Sequence, residues 1–430
     1  MDRVSQNSSL NVPKWIILYY ILCTLLTIFM MKPNVEYSSV VRFGYMILIY
    51  APLFKYKKLV PFVINGFYWI SFCSFTGLLP FNIIYTVFTV AVLFMISGKT
   101  INKMVPSIYI MLAAYFLFIS LINWDFDETG VLWGGILIVF MLSGFLNDED
   151  SLNMFSYSFV LISLVLSAVY LMNYQEFTDS YVRGVVTMER SGWMNPNMLG
   201  ATIGCGLVFA LSNYLKILKS SKLLSSGLLI VIGISFVSLV LLASRGALLS
   251  ALAACLFIIF LQRSVPMKYK LLAVSFIIGI VYYSYISGYF ELLEFRTETE
   301  GSTESGGNRF PIWISKFNAF ENLDFVCTFF GIGQLDTISI GPHNIRTHND
   351  FLTALIAYGY VGLLLYGILL ARLVVRSIKF NVFAQTVPFF TLFLIESNVL
   401  EPIFRGYLLF LMLFLYIAKS ISLSKCCQEK

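Results

Sequence analysis

A chain of 430 residues that is 58% hydrophobic and 12% charged, with a mean hydropathy of +0.82, excludes a water-soluble globular domain and points to a polytopic membrane protein. The net charge of +6, from 29 basic and 23 acidic residues, is read as a topology signal, and nucleic acid is not an expected partner. Of the seven cysteines, most lie in apolar runs (Cys23, Cys73, Cys205, Cys255) or at the end (Cys426, Cys427), with Cys327 alone in a long loop. That is no disulfide framework; the terminal pair is either an unmodified tail or an acylation site.

In chain order, the polar stub Met1 to Pro13 is followed by an apolar run without a small-residue cleavage site, so the run reads as a first anchor. Apolar runs long enough to cross about 30 Å of hydrocarbon as helices are predicted near 15–31, 40–54, 59–78, 81–97, 104–122, 130–146, 152–172, 196–215, 223–243, 247–262, 269–288, 351–371, 383–400 and 403–419. The second and tenth are short, which sets the expected number of transmembrane helices at about 12–14. The chain then divides into N-terminal transmembrane helices (1–172) and a transmembrane core (173–430) with a large external loop at 289–350.

Alternate connections carry Lys55, Lys57 and Lys58; Lys99 and Lys103; Lys216, Lys219 and Lys222; Arg263, Lys268 and Lys270; and Arg372, Arg376 and Lys379. The positive-inside bias puts these, and both termini, in the cytoplasm. The acidic connection Asn147 to Asp150 falls on the same side, where acidic residues count little. The opposite, external face has a different kind of cation: Arg42, Arg183, Arg190, Arg245, Arg296, Arg309, Arg346 and Arg405, with only Lys32 and Lys316. A planar guanidinium that binds two oxygens at once suits phosphate or carboxylate. The alternative is pairing with external acidic residues or lipid headgroups.

Three external connections stand out. The first, 173–195, ends in ERSGWMNPNMLG, where Arg190 precedes a Gly-Trp and the Asn195-Pro196-Asn197 turn opens the next helix. The second is ASRGALL, where Ser244, Arg245 and Gly246 join two apolar runs with almost no loop, so that Arg245 must snorkel or be paired. The third, 289–350, opens with the polar stretch ETEGSTESGGN. RFPIWISKFNAF then places Ile312, Trp313, Lys316, Phe317 and Phe320 at helical spacing, an amphipathic helix for the membrane surface. Arg309 stands at its start, where backbone N–H groups also face an anion. After Gly331-Ile332-Gly333 come the only two histidines of the chain, His343 and His348, with His348-Asn349 just ahead of the run at 351–371. A helix-capping role for His348 stays open.

The succession ERSGWMNPNMLG, SRGALLS, GNRFPIWISKF, FFGIG and THNDFLTALIAYGYVGLLL resembles the signatures of the O-antigen polymerase and O-antigen ligase family. The resemblance covers roughly 183 to 375. Where the family usually has an acidic residue, two places before the first glycine of the His-Asn segment, this chain has Ala357. The resemblance implies an all-α polytopic membrane protein of multispanning (GT-C-like) glycosyltransferase architecture, in the bacterial plasma (inner) membrane. It implies no cofactor and no required metal, and two histidines without a compact carboxylate cluster agree with that.

By motif, His348, Arg309 and Arg245 are the expected catalytic residues. Arg190, Asn195, Asn197, Asn349, Arg183 and Arg346 are the expected substrate-binding residues. The expected donor is an undecaprenyl-pyrophosphate-linked oligosaccharide, with membrane lipid and a chain-length regulator as further partners. Arg245 and Arg309 would stabilise the departing pyrophosphate; His348 would take the acceptor hydroxyl's proton, with Asn349 fixing its ring. A polymerase of O-antigen or capsular polysaccharide is preferred on the Phe- and Tyr-rich character (40 and 25 residues). A ligase acting on lipid A-core is the alternative, and a flippase for the same lipid-linked glycan is the reading from another class.

Overall fold

Every apolar run picked out from the sequence is helical over most of the residues that the structure describes. The computed structural model describes residues 12–31, 37–73, 83–97, 107–123, 126–175, 196–218, 220–242, 244–261, 266–286, 309–333, 336–341, 347–398 and 408–428. Their regular structure is entirely helical, as expected of an all-α polytopic membrane protein. The first half supplies α1 (Lys14–Met30), α2 (Ser39–Tyr50), α3 (Val60–Cys73), α4 (Ile83–Ser97), α5 (Ser107–Ile122), α6 (Phe126–Ser143) and α7 (Glu149–Met172). The second half supplies α8 (Pro196–Ile217), α9 (Lys222–Leu241), α10 (Arg245–Leu261), α11 (Met267–Ile286), α12 (Arg309–Glu321), α13 (Phe325–Phe330), α14 (Asp336–Ser339), α15 (Asp350–Lys379), α16 (Phe383–Glu396) and α17 (Leu408–Gln428).

Four of the described helices, Glu149–Met172, Asn197–Ile217, Lys222–Leu241 and Asp350–Lys379, are long and apolar enough to cross a membrane, beside several shorter apolar helices. The lipid solvent shows in what is left outside. Trp15, Ile17, Leu18, Ile21 and Leu22 of α1, and Leu223, Leu229 and Ile230 of α9, are exposed, which in water would be a liability and in hydrocarbon costs nothing.

Without a hydrophobic force between helices in lipid, association rests on close packing and interhelical hydrogen bonds. Both are present around α8, which packs on α7, α9 and α10. A Cβ at Gly200 would lie 2.8 Å from the Ala247 Cβ, and one at Gly204 would lie 3.2 Å from that of Ala251. Small residues therefore bring α8 and α10 nearly backbone to backbone. Ser163 of α7 shares a 2.8 Å hydrogen bond with Ser235 of α9 and donates to Ile203 O of α8 at 3.0 Å. Phe209 of α8 stacks on Phe159 of α7 (4.3 Å) and on Phe389 of α16 (4.4 Å) and meets Tyr416 of α17 edge-on.

The run at 351–371, expected as one continuous span, is not one. α15 breaks at Gly359, whose φ of 66° and ψ of −171° are non-helical, and folds back as a short arm (350–358) and a long arm (360–379). The rings of Phe351 and Tyr366, fifteen residues apart, have centroids 5.5 Å from each other; along an unbroken helix they would be separated by about 22 Å. The carbonyls at the end of the short arm find partners outside it. Ile356 O accepts from Ile332 N (3.2 Å), and Ala357 O from Gly333 N (3.0 Å). The Tyr115 hydroxyl of α5 lies 2.8 Å from Tyr358 O and 3.1 Å from Phe330 O. The Gly331-Ile332-Gly333 turn is thus the cap of this helix end. α13 leads into it, begun by Asp324, which accepts from Cys327 N at 2.9 Å; that bond holds its carboxyl below the usual range. The long arm alone, 20 residues by its bounds, reaches about 30 Å and takes over as the spanning element.

Candidate functional site

The break at Gly359 decides where the His-Asn turn sits. Because the short arm runs back along the long arm, its first residue Asp350 comes beside Tyr366, on which it acts electrostatically. Tyr366 lies six residues inside the long arm, about 9 Å along its axis. The turn therefore enters below the tip formed by Gly331, Gly333 and Gly359 and does not stand on top of it.

The turn is tied down at Thr347, Asn349 and Asp350. Thr347, buried, lies 3.1 Å from Asn349 O and is hydrogen-bonded to Thr353. Asn349 is the N-cap of α15: its Oδ1 accepts from Leu352 N at 3.0 Å and its Nδ2 donates to Asn398 Oδ1 at 3.1 Å. Asp350, fully buried, donates its backbone N–H to Ser397 O at 2.9 Å, and Ser397 Oγ donates to its carboxylate at 3.4 Å. The helix cap is thus the side chain of Asn349, not His348. His348 is held by its neighbours at φ 51°, a left-handed conformation uncommon outside glycine, asparagine, aspartate and histidine, and is half-buried. Asn349→Ala is expected to cost about 1 kcal/mol of stability, seen as a lower Tm in detergent. Asn349→Ser, which keeps an N-cap oxygen, is expected to recover most of it.

The amphipathic helix forms where its spacing put it, and Arg309 is its first residue. Its inward face holds Lys316 and Phe320, both buried, while Phe317 points out. Lys316 Nζ donates to Thr337 O of α14 at 2.8 Å, so this lysine fastens α12 to α14. One turn beyond Arg309, Trp313 Nε1 donates to Thr347 O at 2.7 Å. The helix that carries Arg309 is thereby pinned to the turn that carries His348.

Arg309 also acts electrostatically on Glu396, the last residue of α16. Glu396 is fully buried and accepts from Ser250 Oγ of α10 at 2.5 Å. Ser250 lies one and a half turns along α10 from Arg245, the first helical residue, so Arg245 belongs to the same end of the bundle. Asn197 serves that junction: its Oδ1 accepts from Ser244 Oγ at 3.0 Å, tying the start of α8 to the start of α10. The conspicuous turns in the sequence are therefore also joints of the scaffold.

Of the expected site residues, the structure brings Arg309, His348 and Asn349 into one neighbourhood, with Arg245 and Asn197 at the start of the adjoining α10 and α8. Arg183, Arg190, Asn195 and Arg346 lie outside the described residues, as does His343. Arg42 stands elsewhere, in α2, close enough to Tyr85 of α4 to act on it electrostatically. Sequence reasoning passed over Glu396, Asp350 and Ser397. A signal for Glu396 was there, a lone carboxylate ending the apolar run TLFLIE; Asp350 gave none beyond its place after His348-Asn349.

Chemically, this end of the bundle offers guanidinium groups for anionic oxygens, an imidazole for a proton, and two buried acidic side chains, Asp350 and Glu396. Residues 228–367 match the family model described as O-antigen ligase. That stretch begins in α9, contains Arg245, Arg309, His348 and Asn349, and ends in the long arm of α15. No curated protein matches the chain. This match over residues 228–367, around the same arginine and histidine turns, supports a likeness to the O-antigen polymerase/ligase family.

Proposed function

We propose that the protein is a glycosyltransferase that polymerises O-antigen or capsular polysaccharide. It transfers the growing glycan from undecaprenyl pyrophosphate to a carrier-linked repeat unit, with inversion at the anomeric carbon. The chain lies in the bacterial inner membrane with both termini cytoplasmic, and the site faces the external side. The observation that supports this best is the bond from Trp313 to Thr347: it fastens a helix beginning in Arg309 to a turn presenting His348, so an anion-binding group and a proton acceptor are held together.

In this reading the bond between C1 of the donor sugar and the pyrophosphate oxygen breaks while the acceptor oxygen bonds to C1. Negative charge builds on the departing pyrophosphate, where Arg245 and Arg309 stabilise it. The acceptor hydroxyl's proton passes to the His348 imidazole. Asn349 sets the His348 backbone by capping the helix that follows it; Arg190, Arg183, Arg346, Asn195 and Asn197 are assigned to the glycan and the second phosphate. The fold-back of α15 at Gly359, which sets the His348 turn below the tip formed by Gly331, Gly333 and Gly359, supports a site within reach of a membrane-anchored pyrophosphate.

The test is reconstitution in liposomes with one undecaprenyl-pyrophosphate repeat unit and no other acceptor. A ladder of multiples on a gel is expected. Product only after lipid A-core is added would make the protein a ligase, and movement of the substrate across the bilayer without any product would make it a flippase. Arg309→Lys keeps the charge and loses the planar fork; it is expected to lower the rate by about 10²-fold or more, on the order of 3 kcal/mol, with normal insertion. A wild-type rate at matched protein level would remove Arg309 from the mechanism.

A further inference from the structure

The His348 turn is held by α12, through Trp313, and by the end of α16, where Glu396, Ser397 and Asn398 follow one another. Ser397, fully buried, is the C-cap of that helix and meets Asp350 through both backbone and side chain. Its carbonyl oxygen accepts from Asp350 N at 2.9 Å, and its Oγ donates to the buried carboxylate at 3.4 Å. Asn398 presents its amide in one orientation only. Its Nδ2 donates to Leu394 O at 2.8 Å, which leaves Oδ1 to accept from Asn349 Nδ2 at 3.1 Å. That in turn leaves Asn349 Oδ1 to cap Leu352 N. Reversing either amide of this relay would set oxygen against oxygen and N–H against N–H. The base of the clamp is itself fixed. Glu396 Oε1 accepts from Ser250 Oγ at 2.5 Å, and α16 packs along α10, the helix that begins with Arg245.

We propose that Ser397 and Asn398 are positioning residues for His348: they clamp the two residues that follow it, Asn349 and Asp350, and so set the direction of its imidazole. With Thr347 O held by Trp313 and Asp350 N held by Ser397, the chain is fixed where it enters and leaves His348. The residue between them is kept at its left-handed φ of 51°, and the ring has only its own side-chain torsions left to explore. Placing a proton acceptor by a rigid support is a form of preorganisation. The end of α16 thus joins the helix that starts with Arg245 to the turn that carries His348, the leaving-group and acceptor sides of the reaction. What the imidazole is positioned for rests on the function proposed above; that α16 positions it does not.

The test separates the two. Because the chain has only two histidines, the His348 ring can be watched without substrate: in nanodiscs with ring-labelled histidine, the magnetic-resonance signal that survives in His343→Gln is that of His348. A single line is expected for it. Asn398→Ala and Ser397→Ala are each expected to shift and broaden that line, and Ser397→Thr, which keeps the hydroxyl, to restore it. In the liposome assay both alanine variants are expected to lower kcat by about tenfold at an unchanged KM for the lipid-linked donor, because only the acceptor side is loosened. Asn398→Ala is expected to add nothing to the loss in an Asn349→Ala background, where the relay is already cut. An unchanged imidazole line in either alanine variant would remove that residue, and in both would overturn the proposal, as would a loss confined to KM or fully additive losses. Asn398 is exposed, so its variant still reads the clamp should Ser397→Ala fail to fold. A wild-type protein without product in the liposomes would defeat the proposed function and leave the imidazole result standing.

Discussion

His348→Ala is expected to abolish most of the transfer rate, by about 10²-fold or more, which is on the order of 3 kcal/mol of transition-state stabilisation. The loss should come without a matching loss of the fold. The cap of the following helix is Asn349, through Leu352 N, and the anchors of the turn are Thr347 and Asp350. The backbone at His348 does make a demand, since φ is 51°. His348→Asn is therefore the cleaner substitution, because asparagine tolerates that conformation and cannot replace imidazole as a base. Both variants should insert normally and unfold near the wild-type Tm while the product ladder disappears. If His348→Asn made product at the wild-type rate, the proton would have to go elsewhere, and Asp350 and Glu396 would be the next groups to examine.

Gly359→Val is the substitution expected to do most damage to the structure. Its φ of 66° and ψ of −171° fall in a region essentially reserved for glycine, and a Cβ there would lie 2.2 Å from Phe329 O. Gly331, at φ 88°, faces the same constraint from the other side, with a Cβ 2.2 Å from Ala357 O. Neither backbone can withdraw without breaking the bonds from Ile332 N and Gly333 N that cap the short arm. A cost of about 3 kcal/mol or more is expected, read as loss of monodisperse protein after detergent extraction. Gly367→Ala is the control: it lies in the long arm with nothing within 4 Å of an added Cβ and should be neutral or slightly stabilising. Equal yields from Gly359→Val and wild type would show that the hairpin is not required for folding.

These two substitutions fall in one sequence segment, and that segment shows how far the sequence could be read. THNDFLTALIAYGYVGLLL has an apolar run of spanning length, so hydropathy makes it a single transmembrane helix. Hydropathy registers whether a residue prefers lipid to water and is blind to a reversal within lipid. A glycine in such a run is ordinary, and Gly367, eight residues on, sits in regular helix. What makes Gly359 a hinge is the arrival of Ile332, Gly333 and Tyr115 at the carbonyls of 356, 357 and 358.

The amphipathic helix was legible for the opposite reason. Its signal is local, a period of 3.6 set by one stretch of chain, and the helix begins and ends where the pattern does. Its inward face was only partly legible. Lys316, counted from sequence among the external cations, is buried and bound to Thr337 O, because a long side chain can bury its stem and still reach a carbonyl.

By itself the sequence determined the solvent and the fold class, the positions of the helices, and the short list of arginines and the histidine on which the chemistry is proposed to turn. Those follow from composition, apolar run length and local motif, all of which are properties of neighbouring residues. The tertiary structure alone decided that the span at 351–371 turns back at Gly359, that Trp313 pins the Arg309 helix to the His348 turn, and that Glu396 of α16 meets Ser250 of α10. Each of these depends on a contact between segments tens of residues apart, and such a contact is specified by packing and by the need to satisfy buried backbone and charge, which no local pattern encodes.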